Sequence, residues 1–239
     1  MIDPTVTLGD LVVANPSLAR EFDRRQLDYC CGGSRQLAEA CVDAGLDPQE
    51  VVRQLRTIEA APAPPPWATM GMVQLVDHVE ATHHRYLWEE LPRLVMLADR
   101  VVEVHTRQHP ELADVERLVA ELRADLEPHL TKEEQVLFPL IRRLAVAESR
   151  SHAQLDRAEQ PIKVMLAEHD RVGELLAALR AITHDYRPPA DACGSYRALL
   201  AGLEDLEADT HLHVHKENNV LFPMARAEPV ASSATGTTH

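Results

Sequence analysis

The sequence predicts an all-α protein, a small helical domain followed by an antiparallel four-helix bundle. Three observations predict it. Strong helix formers dominate a chain of 239 residues with only 9 glycines, and strand-like alternation is hard to find. Four long stretches of helical periodicity are joined by short connections, which favours antiparallel neighbours. A segment of the second long stretch recurs in the fourth, as duplication of a helical hairpin would produce.

The elements follow in order. Residues 1–60 read as a small domain with short helices near 7–14, 17–27, 35–45 and 48–59. Asp47-Pro48 starts the last of these, with a capping residue before a first-turn proline. The segment 61–68, with Pro62, Pro64, Pro65 and Pro66, reads as a stiff linker. Residues 69–226 carry the four long helices, near 70–100, 111–147, 159–185 and 193–226. Pro92, Pro139 and Pro223 fall late in three of them and are expected to kink or end the helix. The tail 227–239, rich in Ser, Thr and Ala, reads as disordered.

Composition narrows the function. A net charge of −14 and an aromatic content of 4% argue against nucleic acid as a partner. No run of about 18 apolar residues suggests a membrane span. The first ten residues carry no basic segment followed by an apolar run, so no secretory signal is read. Cys30, Cys31, Cys41 and Cys193 are too few and too clustered for a disulfide scaffold, and a reducing cytoplasm is the expected compartment.

The repeat carries the chemistry. Residues 129–140 and 213–224 are identical at seven of twelve positions, an offset of 84. His84 and His169, on the preceding helices, are 85 apart. Each hairpin therefore supplies one histidine from its first helix and a His-x-x-x-Glu pair from its second. Residues four apart share a helix face, so His129 with Glu133, and His213 with Glu217, converge. The apolar stripes agree. They run through Leu122, Leu126, His129, Glu133, Val136 and Leu140, and through Leu206, His213, Glu217 and Val220.

A single core histidine is ordinarily just a hydrogen-bonded residue. Four of them with two buried carboxylates need a different account, because neutral imidazoles supply no positive charge and uncompensated buried carboxylates cost several kcal/mol. A metal supplies it. Six ligands exceed one tetrahedral zinc. They suit a pair of five- or six-coordinate ions such as iron or manganese, with the two carboxylates bridging. Glu80 is an outside candidate for a further ligand, and Glu168, Asp125 and Asp170 for residues that orient the ligands. His78, His83, His211 and His215 read as surface or supporting residues.

The small domain holds Asp28-Tyr29-Cys30-Cys31-Gly32-Gly33. This suggests an exposed, mobile turn, with Ser34 capping the next helix and its N-terminal end lowering the thiol pKa values. Cys41 reads as core. The alternative is an ordinary turn with inert thiols.

The Tyr-Cys-Cys-Gly-Gly turn, the proline-rich segment and the two His-x-x-Lys-Glu-x-x-Val-Leu-Phe-Pro repeats together resemble the RIC family of di-iron iron–sulfur cluster repair proteins, over residues 5 to about 226. The resemblance implies a hemerythrin-like bundle. It implies terminal ligands at His84, His129, His169 and His213 and bridging carboxylates at Glu133 and Glu217. It places a core glutamate at Glu168 and paired N-terminal cysteines at Cys30 and Cys31, which would relay iron or electrons. The cofactor implied is two iron ions, carboxylate-bridged and oxo- or hydroxo-bridged when oxidised.

The function implied is repair of clusters damaged by nitrosative or oxidative stress, as an iron donor with iron–sulfur proteins as clients. Reduction of nitric oxide to nitrous oxide, and sensing or carriage of oxygen or nitric oxide, are the alternatives. A homodimer through the small domain is also implied. Two departures stand out: Asp125 occupies a position where relatives carry glutamate, and Pro128 directly precedes His129 and is expected to bend that helix.

Overall fold

The structure, a computed structural model, describes residues 2–58, 66–147 and 152–227. The expectations of a linker and a disordered tail fall largely on 59–65 and 228–239, outside the described residues. Among the described residues the architecture is helical, and the only β pairing is an isolated bridge between Thr7 and Gln36. No helix among them is long and apolar enough to cross a membrane.

Four short helices come first: α1 (Leu8–Ala14), α2 (Ala19–Arg24), α3 (Leu37–Asp43) and α4 (Pro48–Leu55). Thr7 caps α1 by accepting from the Asp10 amide, and Asp47 caps α4 by accepting from Gln49 ahead of Pro48. Leu8, Val12, Phe22, Leu37, Cys41 and Leu55 close a small core of their own, with Cys41 fully buried.

The bundle follows. Its first long helix is α5 (Met72–Val79), a π turn (Glu80–His84) and α6 (Arg85–His105). Its second is α7 (Leu112–Lys132), a π turn (Glu133–Leu137) and α8 (Phe138–Val146). The third is α9 (His152–Ile182). The fourth is α10 (Gly194–Lys216), a π turn (Glu217–Leu221) and α11 (Phe222–Arg226). Helix α6 packs on α7 and α10, and α9 packs on α7 and α10, which closes the four-sided bundle. One apolar cluster, including Leu87, Leu126, Val172 and Leu206, fills one end. A second, including Val79, Phe138, Met165 and Phe222, fills the other. The polar ligand candidates lie between them in every helix.

Proline acts less uniformly than the sequence suggests. Helix α6 runs through Pro92 and α7 through Pro128 without a break. Pro139 and Pro223 instead follow π turns, where Phe138 and Phe222 donate five residues back to Glu133 and Glu217. Each proline then sits in the first turn of the next helix, where a missing N–H costs little. The extra residue in each π turn also shifts the buried face. Val136 is 54% exposed, and Leu137, Phe138 and Ile141 are buried in its place.

The short helices dock on the fourth long helix through the Cys-Cys-Gly-Gly turn. Asn219 donates to the Tyr29 and Cys30 carbonyls at 3.3 and 3.0 Å, Asn218 to the Cys30 carbonyl at 3.3 Å, and the His215 Nδ1–H to that of Tyr29 at 3.2 Å. A Cβ on Gly33 would lie 2.3 Å from Asn219 Oδ1 and 2.5 Å from the Tyr29 carbonyl. The glycine is therefore needed for close approach. Gly33→Ala is expected to destabilise the protein by about 1–3 kcal/mol through overpacking, read as a lower thermal midpoint, whereas Gly45→Ala, with open space around its Cβ position but a φ of 70°, is expected to cost only the backbone strain.

Candidate metal centre

His84 ends the first π turn. His129 lies on the last turn of α7 and Glu133 opens the second π turn. His169 is mid-α9, and His213 and Glu217 flank the end of α10. All six are at most 1% exposed. They form two groups, His84 with His213 and His129 with His169, and Glu133 and Glu217 belong to both. Within each group the ligand atoms lie within 4.8 Å of one another.

The tautomers follow from the outer hydrogen bonds. His84 Nδ1 meets Glu134 Oε1 at 3.0 Å, His129 Nδ1 meets Glu168 Oε2 at 3.0 Å, and His169 Nδ1 meets Asn218 Oδ1 at 2.8 Å. Each partner atom can only accept when the carboxylates are ionised, so each Nδ1 carries a proton and, in a neutral ring, each Nε2 presents a lone pair inward. His129 and His169 then point lone pairs at one another across 3.2 Å. Both oxygens of Glu133 and of Glu217, and Nε2 of His84 and His213, have no hydrogen-bond partner despite full burial. With the rings neutral, converging lone pairs and anionic oxygens have no donor among them, so the layer calls for a positive charge: a proton on His129 in the metal-free chain, 3.3 Å from Glu133, or a bound cation that displaces it.

Comparison with known proteins agrees with this geometry. The hemerythrin HHE cation binding domain matches residues 75–225, and a model described as a domain of unknown function, ScdA_N, matches 5–59. The iron–sulfur cluster repair protein YtfE of an Enterobacter species is 34% identical over 220 residues, covering 92% of this chain and 96% of its own. The proteins of the same name from Citrobacter koseri and Escherichia coli are 33% identical over the same coverage. The chain belongs to the family of iron–sulfur cluster repair proteins. Its hemerythrin-like domain and buried His/Glu groups suit metal binding.

Other expectations for a member of this family fare unevenly. Glu168 meets His129 and also Lys132. Asp125 does not reach the site: it is exposed, 3.5 Å from Arg171, on the outer face of α7. Glu80 pairs with Arg142 at 2.7 Å, and Asp170 is exposed along a cleft beside Cys30 and Cys31. His83 and His215 are buried, not on the surface, because the π turn and the docked Cys-Cys-Gly-Gly turn cover them. Burial pushes both imidazoles down to about 4.

The thiols also differ from expectation. Asp28 accepts the amides of Cys30, Cys31 and Gly32 at 3.1, 2.9 and 2.9 Å, which gives the turn a defined shape. Cys30 is buried, and its hydrogen bond to Cys31 together with desolvation raises its pKa well above the ordinary thiol value. Ser34 caps nothing, because α3 begins at Leu37 after Gln36. The two sulfurs are 3.9 Å apart on the wall of a cleft of about 830 Å³.

Glu134 and Asn218 are the orienting residues that sequence reasoning missed. Each directly follows the shared glutamate of its hairpin, and each accepts from the first-helix histidine of that same hairpin. The internal repeat thus held the signal. Trp88, partly exposed, adds a second donor to Glu134 at 2.9 Å.

Burial lowers the His129 pKa, but the Glu133 carboxylate and Glu168 outweigh it and lift it to about 10 in the metal-free chain. For Glu133, burial and Glu217 push upward, while His129 and His84 pull it down to about 2. At neutral pH His129 therefore holds a proton that a metal must displace. Ferrous-ion affinity is expected to rise about tenfold per pH unit per proton displaced, up to roughly pH 10, with proton release measured by calorimetry in buffers of different ionisation enthalpy. Glu134→Leu is expected to weaken metal binding by about 10–100-fold, measured by competition with a calibrated chelator.

Proposed function

We propose that this protein holds two iron ions between its two histidine pairs and donates iron to damaged iron–sulfur clusters. The observation that carries the reading is that Glu133 and Glu217 belong to both four-residue groups, in a chain 34% identical over 92% of its length to a protein named for iron–sulfur cluster repair. Iron is here the cargo. His84, His129, His169 and His213 would be its terminal ligands, and the two glutamates would bridge. A carboxylate can change between bridging and terminal modes without leaving the site, which suits storage combined with release.

Each cation position is met by four side chains, fewer than a five- or six-coordinate ion takes. That leaves room for a small ligand, and nitric oxide or oxygen would fit this role. The reading includes a division of the chain into a thiol-bearing unit at 1–60 and a cargo-bearing bundle at 69–226. Cys30 and Cys31, beside Asp28 on the cleft wall, would accept iron or electrons on the way out. The clients would be iron–sulfur proteins.

The test is transfer. Apo-protein loaded anaerobically with two equivalents of ferrous iron is mixed with a cluster-depleted acceptor and a sulfide source. Recovery of the acceptor's cluster absorbance is expected, and Glu133→Ala is expected to abolish it along with tight loading. A fully loaded protein that restores no cluster would overturn the donor reading. Anaerobic incubation with nitric oxide, scored for nitrous oxide, measures the competing reductase activity.

A further inference from the structure

The four inward histidines are not held alike. His84 and His129 each donate from Nδ1 to a carboxylate, of Glu134 and of Glu168, and His169 donates to the Asn218 carboxamide. The Nδ1 of His213 is buried and has no hydrogen-bond partner among the described residues.

What covers His213 is the flat face of His83, stacked at 5.4 Å between centroids and 8° between planes. His83 has no acceptor to spare. Its Nε2 takes a hydrogen bond from Lys216 Nζ at 2.6 Å, and its Nδ1 donates to Asp209 at 2.9 Å. On its outer side His213 is thus held by packing alone, while its Nε2 faces Glu217 at 3.2 Å.

The grouping turns this into a difference between the two cation positions. One is faced by His129 and His169, both backed. The other is faced by His84, which is backed, and His213, which is not. The carboxylates are common to both and cancel from the comparison. The backing at His169 is itself anchored, because Asn218 also donates to the Cys30 carbonyl at 3.3 Å. A hydrogen bond from Nδ1–H fixes the ring and strengthens Nε2 as a donor, and losing such a partner costs about 10–100-fold in metal affinity.

We infer that the two positions retain iron unequally, that the one at His84 and His213 empties first, and that the unbacked His213 sets the difference. The inference rests on the two-ion reading of the site and not on the identity of the acceptor.

The test uses the full-length protein loaded with two ferrous ions. A ferrous chelator in excess should draw iron in two phases whose rates differ by about 10–100-fold. Crystals grown after withdrawal of one equivalent should show the remaining anomalous iron peak between His129 and His169. A single phase, or a remaining peak between His84 and His213, would overturn the inference. Asn218→Leu removes the acceptor of His169 and should speed the slow phase toward the fast one; a slow phase left unchanged would show that the hydrogen bond is not the cause. If the chain takes up one ion instead of two, its place decides in the same way. Transfer to a cluster-depleted acceptor is scored separately, so a failed donor reading and a failed asymmetry give different results.

Discussion

Two buried carboxylates whose inward neighbours are imidazoles set the terms for the rest of this molecule. Glu133 and Glu217 are 0% exposed at the centre of a helical bundle. Such groups are costly to bury, and breaking their compensation costs more than forming it returns. The surroundings are organised around that cost. Four imidazoles enclose the pair, three of them locked by acceptors that turn their lone pairs inward. Apolar clusters above and below keep water from relieving the charge. A bundle with leucines at these six positions would be the simpler solution for stability, so the polar layer is suited to metal binding and not to stability.

The π turns are how ordinary helices meet this demand. Each of the three begins or ends on a ligand candidate. A π turn admits one extra residue, so the chain can aim the glutamate at the centre and the next residue at the neighbouring histidine's outer nitrogen. It then returns to α geometry with a rotated face. In two of them a proline follows within two residues, and its missing amide coincides with a place where the α ladder is already interrupted. The Val-Leu-Phe-Pro part of the repeat is in this sense the structural half of the His-x-x-x-Glu motif.

The general architecture was legible in the sequence because helical period and linker length are local signals. The six convergent side chains were legible because a duplicated hairpin fixes two offsets at once, and the agreement of 84 with 85 links residues far apart in the chain. The register beyond each π turn was not legible: a period of 3.6 placed Val136 and Leu140 in the core, and one inserted residue placed Leu137 and Phe138 there. The burial of His83 and His215 was hidden for a related reason. Each depends on a contact with another part of the chain, Asp209 and Lys216 for the first and the Tyr29 carbonyl for the second. The glycines of the thiol turn suggested mobility. Of the two, Gly33 provides the clearance that lets backbone meet Asn219 without a side chain between them.

Neighbouring carboxamides on the last π turn face in different directions. Asn218 reaches a histidine of the polar layer and the Cys30 carbonyl, while Asn219 turns to the thiol turn, donating to the Tyr29 and Cys30 carbonyls. One short stretch of backbone is thereby a member of both halves of the molecule. Cutting the chain at its proline-rich segment would strip partners from His211, His215, Asn218 and Asn219 together. The fourth long helix would lose its outer wall at the level of the buried His/Glu layer. The bundle is therefore not a freestanding module that happens to carry a thiol-bearing neighbour; its own inner geometry is finished by that neighbour's backbone.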